Sequence, residues 1–312
     1  MKICMLGAGA LGCSIGGVLA RGGSDVTLVD RFQAHVDAIN TLGLKMRFGD
    51  EEKSLQIRAY TSCEGLAPVD LIIVLVKSAA TRAAIESARP LVGPDTLVMS
   101  IQNGLGHEEI LAEVVGREHV LAAKTYVGGV FLEPGHIVSG YKGKQTYIGE
   151  LDGRQTPRLQ AVVDEFNKAD LLATASTNIY GTMWDKLLVN VATGAVCAIT
   201  RLPYGWLYKM PEVEETALAA VAEGIAVARA NDIWLASDDP EYFWDLAAEG
   251  LPAEFKTSML QSLEKGEVSE VDFINGSVVR WGERSGIATP VNKTLVALVK
   301  GIENFQEKFG KR

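Results

Sequence analysis

The chain has 312 residues, 47% of them hydrophobic and 22% charged, with a net charge of −9. That is length enough for two domains and the balance of a soluble globular protein, and an acidic surface without a Lys/Arg stripe argues against nucleic acid as a partner. The early apolar run Leu71–Val76 has a strand's length and is far too short for a bilayer, so no membrane association is expected. Met1-Lys2 leads directly into strand-like Ile3–Leu6, which leaves no room for a signal peptide and makes the cytoplasm the expected location.

In chain order, KICMLG (2–7), DVTLVD (25–30), LIIVLV (71–76) and TLVMSI (96–101) read as strands. Between them lie a small-residue helix after Gly9, a helix near Ala34–Leu42 and another near Ala80–Leu91. Strands alternating with helices predict an α/β domain built on a parallel sheet covered on both faces. Beyond Val120, Lys124–Val130, His136–Ser139 and Thr146–Ile148 look like short strands that extend the same sheet, followed by an amphipathic helix over Arg158–Lys168. From Asn178 onward the pattern is helical: Tyr180–Ile199, Glu212–Asn231, Tyr242–Glu249, Ser258–Gly266, Glu270–Ser285 and Pro290–Lys308. These patterns predict an α/β domain over residues 1–177 and an all-helical domain over 178–312. Cys4, Cys13, Cys63 and Cys197 show no CxxC spacing, and the four histidines no HxxxH pair, so no metal site and no catalytic histidine are expected.

Residues 2–12, KICMLGAGALG, run from a strand through Gly7-Ala8-Gly9-Ala10-Leu11-Gly12 into a helix. In a dinucleotide-binding turn Gly7 permits the tight bend, Gly9 lets the backbone approach a pyrophosphate, and Gly12 lets helix and strand pack closely. The pyrophosphate would rest on the helix N-terminus. Asp30 ends the second strand, where a carboxylate grips the ribose hydroxyls of NAD. Its neighbour Arg31 could instead pair with the 2′-phosphate of NADP, and the balance leans narrowly to NADH.

From Leu187 to Ile199 no side chain is charged, yet Lys186 stands at the threshold and Asn190 sits inside. Burial penalises both groups unless something polar meets them. With the glycine loop, Val76-Lys77, IQNGLG (101–106), WDKLLVN (184–190) and SMLQSLEKGEVSEVDFING (258–276), the chain resembles the ketopantoate reductases, also called 2-dehydropantoate 2-reductases. The resemblance covers essentially the whole chain. It implies a Rossmann domain followed by a helical one, reduction of a 2-oxo acid to the (R)-2-hydroxy acid by NADPH in a cleft between them, and frequent dimers; a homodimer is therefore expected here.

By that resemblance Lys186 matches the general acid that protonates the substrate carbonyl oxygen, and desolvation at the edge of an apolar helix would lower its pKa from about 10.4 towards a useful range. Asn190, one turn on, matches a substrate-binding asparagine. Glu270 matches a glutamate near the nicotinamide and the lysine, or is a helix-start carboxylate. Ser258 matches a binder of the substrate carboxylate, or caps its helix. Asn103 matches a residue touching both cofactor and substrate, or is an Asn-Gly turn, and Lys77 matches a cofactor-contacting lysine. Gly194, Tyr204 and Phe255 stand where many members carry asparagines, and Ser262 replaces an aspartate, so the pocket is expected to be more apolar than that of a typical member. An NAD-dependent D-2-hydroxyacid dehydrogenase is the alternative enzyme, and a non-catalytic nucleotide sensor the alternative of another class.

Overall fold

A computed structural model describes residues 1–310. It contains two compact units, the first made of residues 1–102 and 107–179, the second of residues 103–106 and the chain from Tyr180 onward. Among the described residues no helix is long and apolar enough to cross a membrane, and no cluster of three or more His, Cys, Asp or Glu could hold a metal ion.

The first unit runs β1 (Lys2–Leu6), α1 (Ala10–Arg21), β2 (Asp25–Val29), α2 (Gln33–Leu42), β3 (Leu44–Phe48), β4 (Glu51–Leu55), β5 (Arg58–Tyr60) and β6 (Val69–Val74). It continues with α3 (Thr81–Ser87), β7 (Val92–Ser100), α4 (His107–Val115), β8 (Val120–Thr125), β9 (Gly128–Glu133), β10 (His136–Gly140), β11 (Thr146–Glu150), α5 (Pro157–Lys168) and β12 (Ala173–Ala175). Eight strands form one sheet in the order β12-β11-β8-β7-β6-β1-β2-β5, parallel except for the β8–β11 pair. Alternate residues feed two cores: Ile3 and Met5 pack with Ile15 and Leu28 on one face, Cys4 and Leu6 with Ile72 and Ile85 on the other. Strand order reverses between β1 and β6, and ligands of open α/β sheets bind at the carboxyl ends of the strands flanking such a switch.

The single sheet expected through residues 124–148 is corrected by the structure. Strands β8 and β11 do extend the main sheet, but β9 and β10 leave it and join β3 and β4 in a second sheet of order β4-β3-β10-β9. The physical reason lies in α1, which is buried on two sides. A Cβ on Gly16 would come within 2.7 Å of Met5 in the main sheet, and one on Gly17 within 2.1 Å of Met46 in the second. The Ser14 and Ser139 hydroxyls meet at 2.5 Å across the second contact. Small residues therefore serve both faces of this helix, and the second sheet covers the face that the first leaves bare.

The second unit contains α6 (Ile179–Thr200), α7 (Tyr204–Leu207), α8 (Pro211–Ala230), α9 (Pro240–Ala248), α10 (Ser258–Lys265), α11 (Asn275–Ser285) and α12 (Pro290–Phe309). Glu223 of α8 accepts the Val291 and Asn292 N–H groups at 2.8 and 2.9 Å, so a carboxylate caps the positive end of α12. Asn275 and Asn292, both fully buried, complete the network at 3.0 Å.

The helix expected to start at Glu270 instead begins at Asn275, after a 3-10 turn over Val271–Phe273. The Phe273 carbonyl accepts the Leu105 N–H at 2.9 Å and the Ser277 hydroxyl at 2.8 Å, and the Ser277 N–H turns to Ile274. A carbonyl spent this way cannot make the next α-helical bond. The loop 103–106 is thereby clamped to the helical unit. Gly104 has φ +93°, and a Cβ there would lie 2.2 Å from the Phe273 carbonyl oxygen. Gly104→Ala should therefore cost about 2–4 kcal/mol of stability. Denaturant unfolding measures this, and an unchanged midpoint would show that the loop is not held.

Candidate active site

In the first unit the glycine loop lies at the carboxyl end of β1, beside the switch point. Gly7 has φ +102°, and a Cβ on it would come within 2.6 Å of the backbone at Leu75 and Val76. A Cβ on Gly12 would lie 2.0 Å from the Gly7 carbonyl oxygen. Chain geometry accounts for both. Gly9 differs: its φ is −65°, it is exposed, and a Cβ there would meet no atom within 4 Å. Neither strain nor internal packing demands a glycine at position 9, which leaves open space at the start of α1. Ala10 and Leu11 open α1, whose first turn has no acidic residue and whose N-cap makes no side-chain bond. That leaves N–H groups and a positive dipole end for an anion, and the cradle fits the pyrophosphate of a dinucleotide.

The Asp30 carboxylate is pinned by two backbone donors. One oxygen accepts the Ala8 N–H at 2.9 Å and the other the Phe32 N–H at 2.9 Å. A carboxylate offers about four acceptor positions, so each oxygen keeps capacity for a hydroxyl. Arg31 beside it is exposed, as is Lys77, which opens the 3-10 turn Ser78–Ala80 past β6. Gln102 ties the ends of β6 and β7 together, its amide donating to the Val76 carbonyl at 2.6 Å and to the Thr81 hydroxyl at 3.0 Å.

One histidine contacts the glycine loop. His35 of α2 is buried, with Nε2 2.8 Å from the Ala8 carbonyl oxygen and Nδ1 accepting the Gly135 N–H at 2.8 Å. Burial holds its pKa below the usual 6.5. Histidine spacing gave no hint of this, because both partners are backbone groups and one is a hundred residues away.

In the second unit, Lys186 and Asn190 stand one turn apart on the same face of α6, both half-buried between the buried residues Trp184, Leu187, Leu188 and Val191. Among the described residues no hydrogen bond to the Asn190 amide is found. Asn103 and Glu270 are brought together, with Asn103 Nδ2 3.4 Å from a Glu270 carboxylate oxygen. Ser258 is the exposed first residue of α10 and does not cap it; the Thr257 hydroxyl does so, accepting the Leu260 N–H at 3.3 Å. The adjacent Thr-Ser pair made either a candidate.

One turn beyond Asn190 the surroundings become aromatic. Tyr204 donates its hydroxyl to Thr193 at 2.9 Å and packs edge-on against Phe255 with ring centroids 4.9 Å apart. Burial pushes the Tyr204 pKa up to about 12, so this ring stays neutral. A Cβ on Gly194 would sit 3.4 Å from Met259 Cε, ordinary contact, so packing does not require glycine there either.

Residues 3–153 match the family model described as ketopantoate reductase PanE/ApbA, and residues 178–303 the model for its C-terminal part. The chain is 36% identical over 305 residues to the 2-dehydropantoate 2-reductase of Pyrococcus horikoshii, covering 97% of this chain and 98% of that one. It is 34% identical to the protein of the same name from Archaeoglobus fulgidus, covering 97% and 98%. Among solved structures it resembles a PanE/ApbA family ketopantoate reductase from Ralstonia eutropha JMP134, with 34% identity, a TM-score of 0.90 and coverage of 98% and 100%. It is also similar to a D-mandelate dehydrogenase in complex with NADH and anilino(oxo)acetate, with 27% identity, a TM-score of 0.89 and coverage of 98% and 100%. A match along both units, shared with relatives of the same length, makes this chain a member of the ketopantoate reductase family.

Proposed function

We propose that the protein reduces 2-dehydropantoate to the (R)-2-hydroxy acid at the expense of a nicotinamide dinucleotide. The observation that carries this is the pair Lys186 and Asn190, two polar groups on one face of an otherwise apolar helix, the amide making no bond within the described chain. When bound, the dinucleotide supplies the hydride. Lys186 donates the proton to the carbonyl oxygen of the substrate, and its charge steadies the negative charge developing there. Asn190 hydrogen-bonds the substrate, and Ser258 binds its carboxylate. Glu270, held by Asn103, lies near the lysine and the nicotinamide, and Asn103 touches cofactor and substrate alike. In the first unit Gly7–Gly12 cradle the pyrophosphate, Asp30 takes the adenine ribose, and Arg31 and Lys77 flank the cofactor. The active form is a homodimer, a proposal supported by the family resemblance.

A second reading has one observation in its favour. Tyr204 and Phe255 make the region beyond Asn190 aromatic, Gly194 adds no polar group to it, and the Tyr204 proton is committed to Thr193. Such a wall suits a bulky apolar 2-oxo acid, and a D-mandelate dehydrogenase is among the similar structures. Oxidation of NADH and NADPH should be followed in parallel, with 2-dehydropantoate and with an aromatic 2-oxo acid. Turnover of 2-dehydropantoate on the order of 1–1000 per second supports the first reading. Turnover of the aromatic acid alone moves the assignment to the second, and binding without turnover of either points to a sensor.

Lys186→Ala should lower kcat by about 100- to 10,000-fold and leave dinucleotide binding intact; activity near the unsubstituted level would remove the lysine from its role. NADH is the proposed coenzyme, because a carboxylate pinned at Asp30 repels a 2′-phosphate. Asp30→Asn keeps an acceptor for Ala8 and loses the charge. It should shift the ratio of kcat/KM for NADPH over NADH upward by about tenfold. The ratio cancels damage common to both coenzymes, so no shift would leave coenzyme choice to other residues.

A further inference from the structure

We infer that His35 is a positioning residue for the dinucleotide: its neutral ring sets the direction of the Gly9 N–H that meets the pyrophosphate, and protonation of the ring releases that N–H. The inference rests on the cofactor reading above and deepens it.

The Ala8–Gly9 peptide is planar and trans, so its carbonyl and its N–H point in opposite directions. The carbonyl is held from the protein side by His35 Nε2 at 2.8 Å and by the Cys13 thiol at 3.0 Å. The Gly9 N–H is therefore turned away from that side. The other end of the Ala8 residue is fixed as well, its N–H donating to Asp30.

Geometry also assigns the proton on the ring. Gly135 donates its N–H to Nδ1 at 2.8 Å, so Nδ1 carries no hydrogen, and Nε2 bears it and donates to Ala8. A second proton would have to sit on Nδ1, donor facing donor. The turn at Gly135 already lies close against α2, where a Cβ would come within 2.9 Å of Ala38. The facing donors, and the larger cost of burying the charge, drive the protonated ring out towards water, and the grip on the Ala8 carbonyl goes with it.

The titratable groups facing the ring are few. Asp30 at the end of β2 pulls towards protonation, as does the Ala8 carbonyl, and burial outweighs both to keep the pKa below 6.5. Cys13 of α1 lies 3.4 Å from Nε2, and burial keeps its thiol protonated. On the second sheet Glu133 and His136 pair with each other at 3.5 Å, and Asp37 of α2 is taken by Gln33. The ring is thus neutral and the grip intact above pH 6.5, and both are lost as pH falls through the lowered value.

The test is direct binding of NADH to the full chain, by fluorescence titration from about pH 8 to about pH 5. Kd should be flat at the upper end and rise on the order of tenfold at the lower. His35→Gln, whose amide cannot gain a proton and can still donate to Ala8, should flatten the profile. His35→Phe should bind on the order of tenfold more weakly throughout, raising KM for the dinucleotide and leaving kcat at saturation nearly unchanged. A flat profile for the unsubstituted protein, the same pH dependence in His35→Gln, or unchanged Kd in folded His35→Phe each overturns the inference alone. Failure of the unsubstituted protein to bind either NADH or NADPH overturns the cofactor reading and this inference with it. If His35→Phe does not fold, the unsubstituted profile and His35→Gln still decide.

Discussion

Helix α1 is covered by both sheets, and where they press closest it admits no side chain. Gly16 and Gly17 let Met5 and Met46 reach the helix backbone from two different sheets, and Ser14 bonds across the second contact. Everything at the cofactor end of the first unit follows from this placement. Because α1 lies so close to both sheets, its N-terminus stands at the switch point between β1 and β6, and Gly7 and Gly12 must shed their side chains for the turn to close. The second sheet also brings Gly135 within reach of His35 and, through the ring, of the Ala8 carbonyl. The glycine loop is thus fixed from below by one sheet and from the side by the other.

The helical unit separates its polar groups into two kinds. Asn292 and Glu223 are satisfied by one another and by the start of α12, and Asn275 donates to Asn292, a network that registers three helices. Asn190 belongs to the other kind, set among apolar neighbours on α6 where the described chain offers its amide nothing. A half-buried amide left open costs stability unless something else meets it, and the substrate proposed beside Lys186 would do so. Phe273 plays a quieter part: by spending its carbonyl on Leu105 it interrupts a helix and holds Asn103 against Glu270.

Much of this was legible in the sequence. The glycine loop, the acid ending β2 and the apolar run after Lys186 each carry their reason locally, in spacing or in composition. What escaped depends on partners far along the chain. LKMRF alternates as a strand should, with Leu44, Met46 and Phe48 buried, but its neighbour EEKSL is almost wholly exposed and carries no apolar pattern, and the pair is missing from the strands the sequence predicts. The hairpin of β9 and β10 was recognisable as strands, yet nothing local told it to leave the main sheet; the second face of α1 did that. The break before Asn275 is set by Leu105, and the role of His35 by Gly135. Neither leaves a mark within its own stretch of sequence.

The loop Asn103–Gly106 has a consequence for dissecting the molecule. It is flanked on both sides by segments of the Rossmann unit, but its partners Phe273, Ser277 and Arg280 all lie in the helical one. The chain thus visits the helical unit once before it finally enters it. No single cut yields two complete modules. A fragment ending near residue 177 would keep Gly104 in its left-handed conformation without the carbonyl it nestles against, and the complementary fragment would keep an interrupted helix without the strand end that interrupts it. Two halves produced separately would each lack packing that the other supplies.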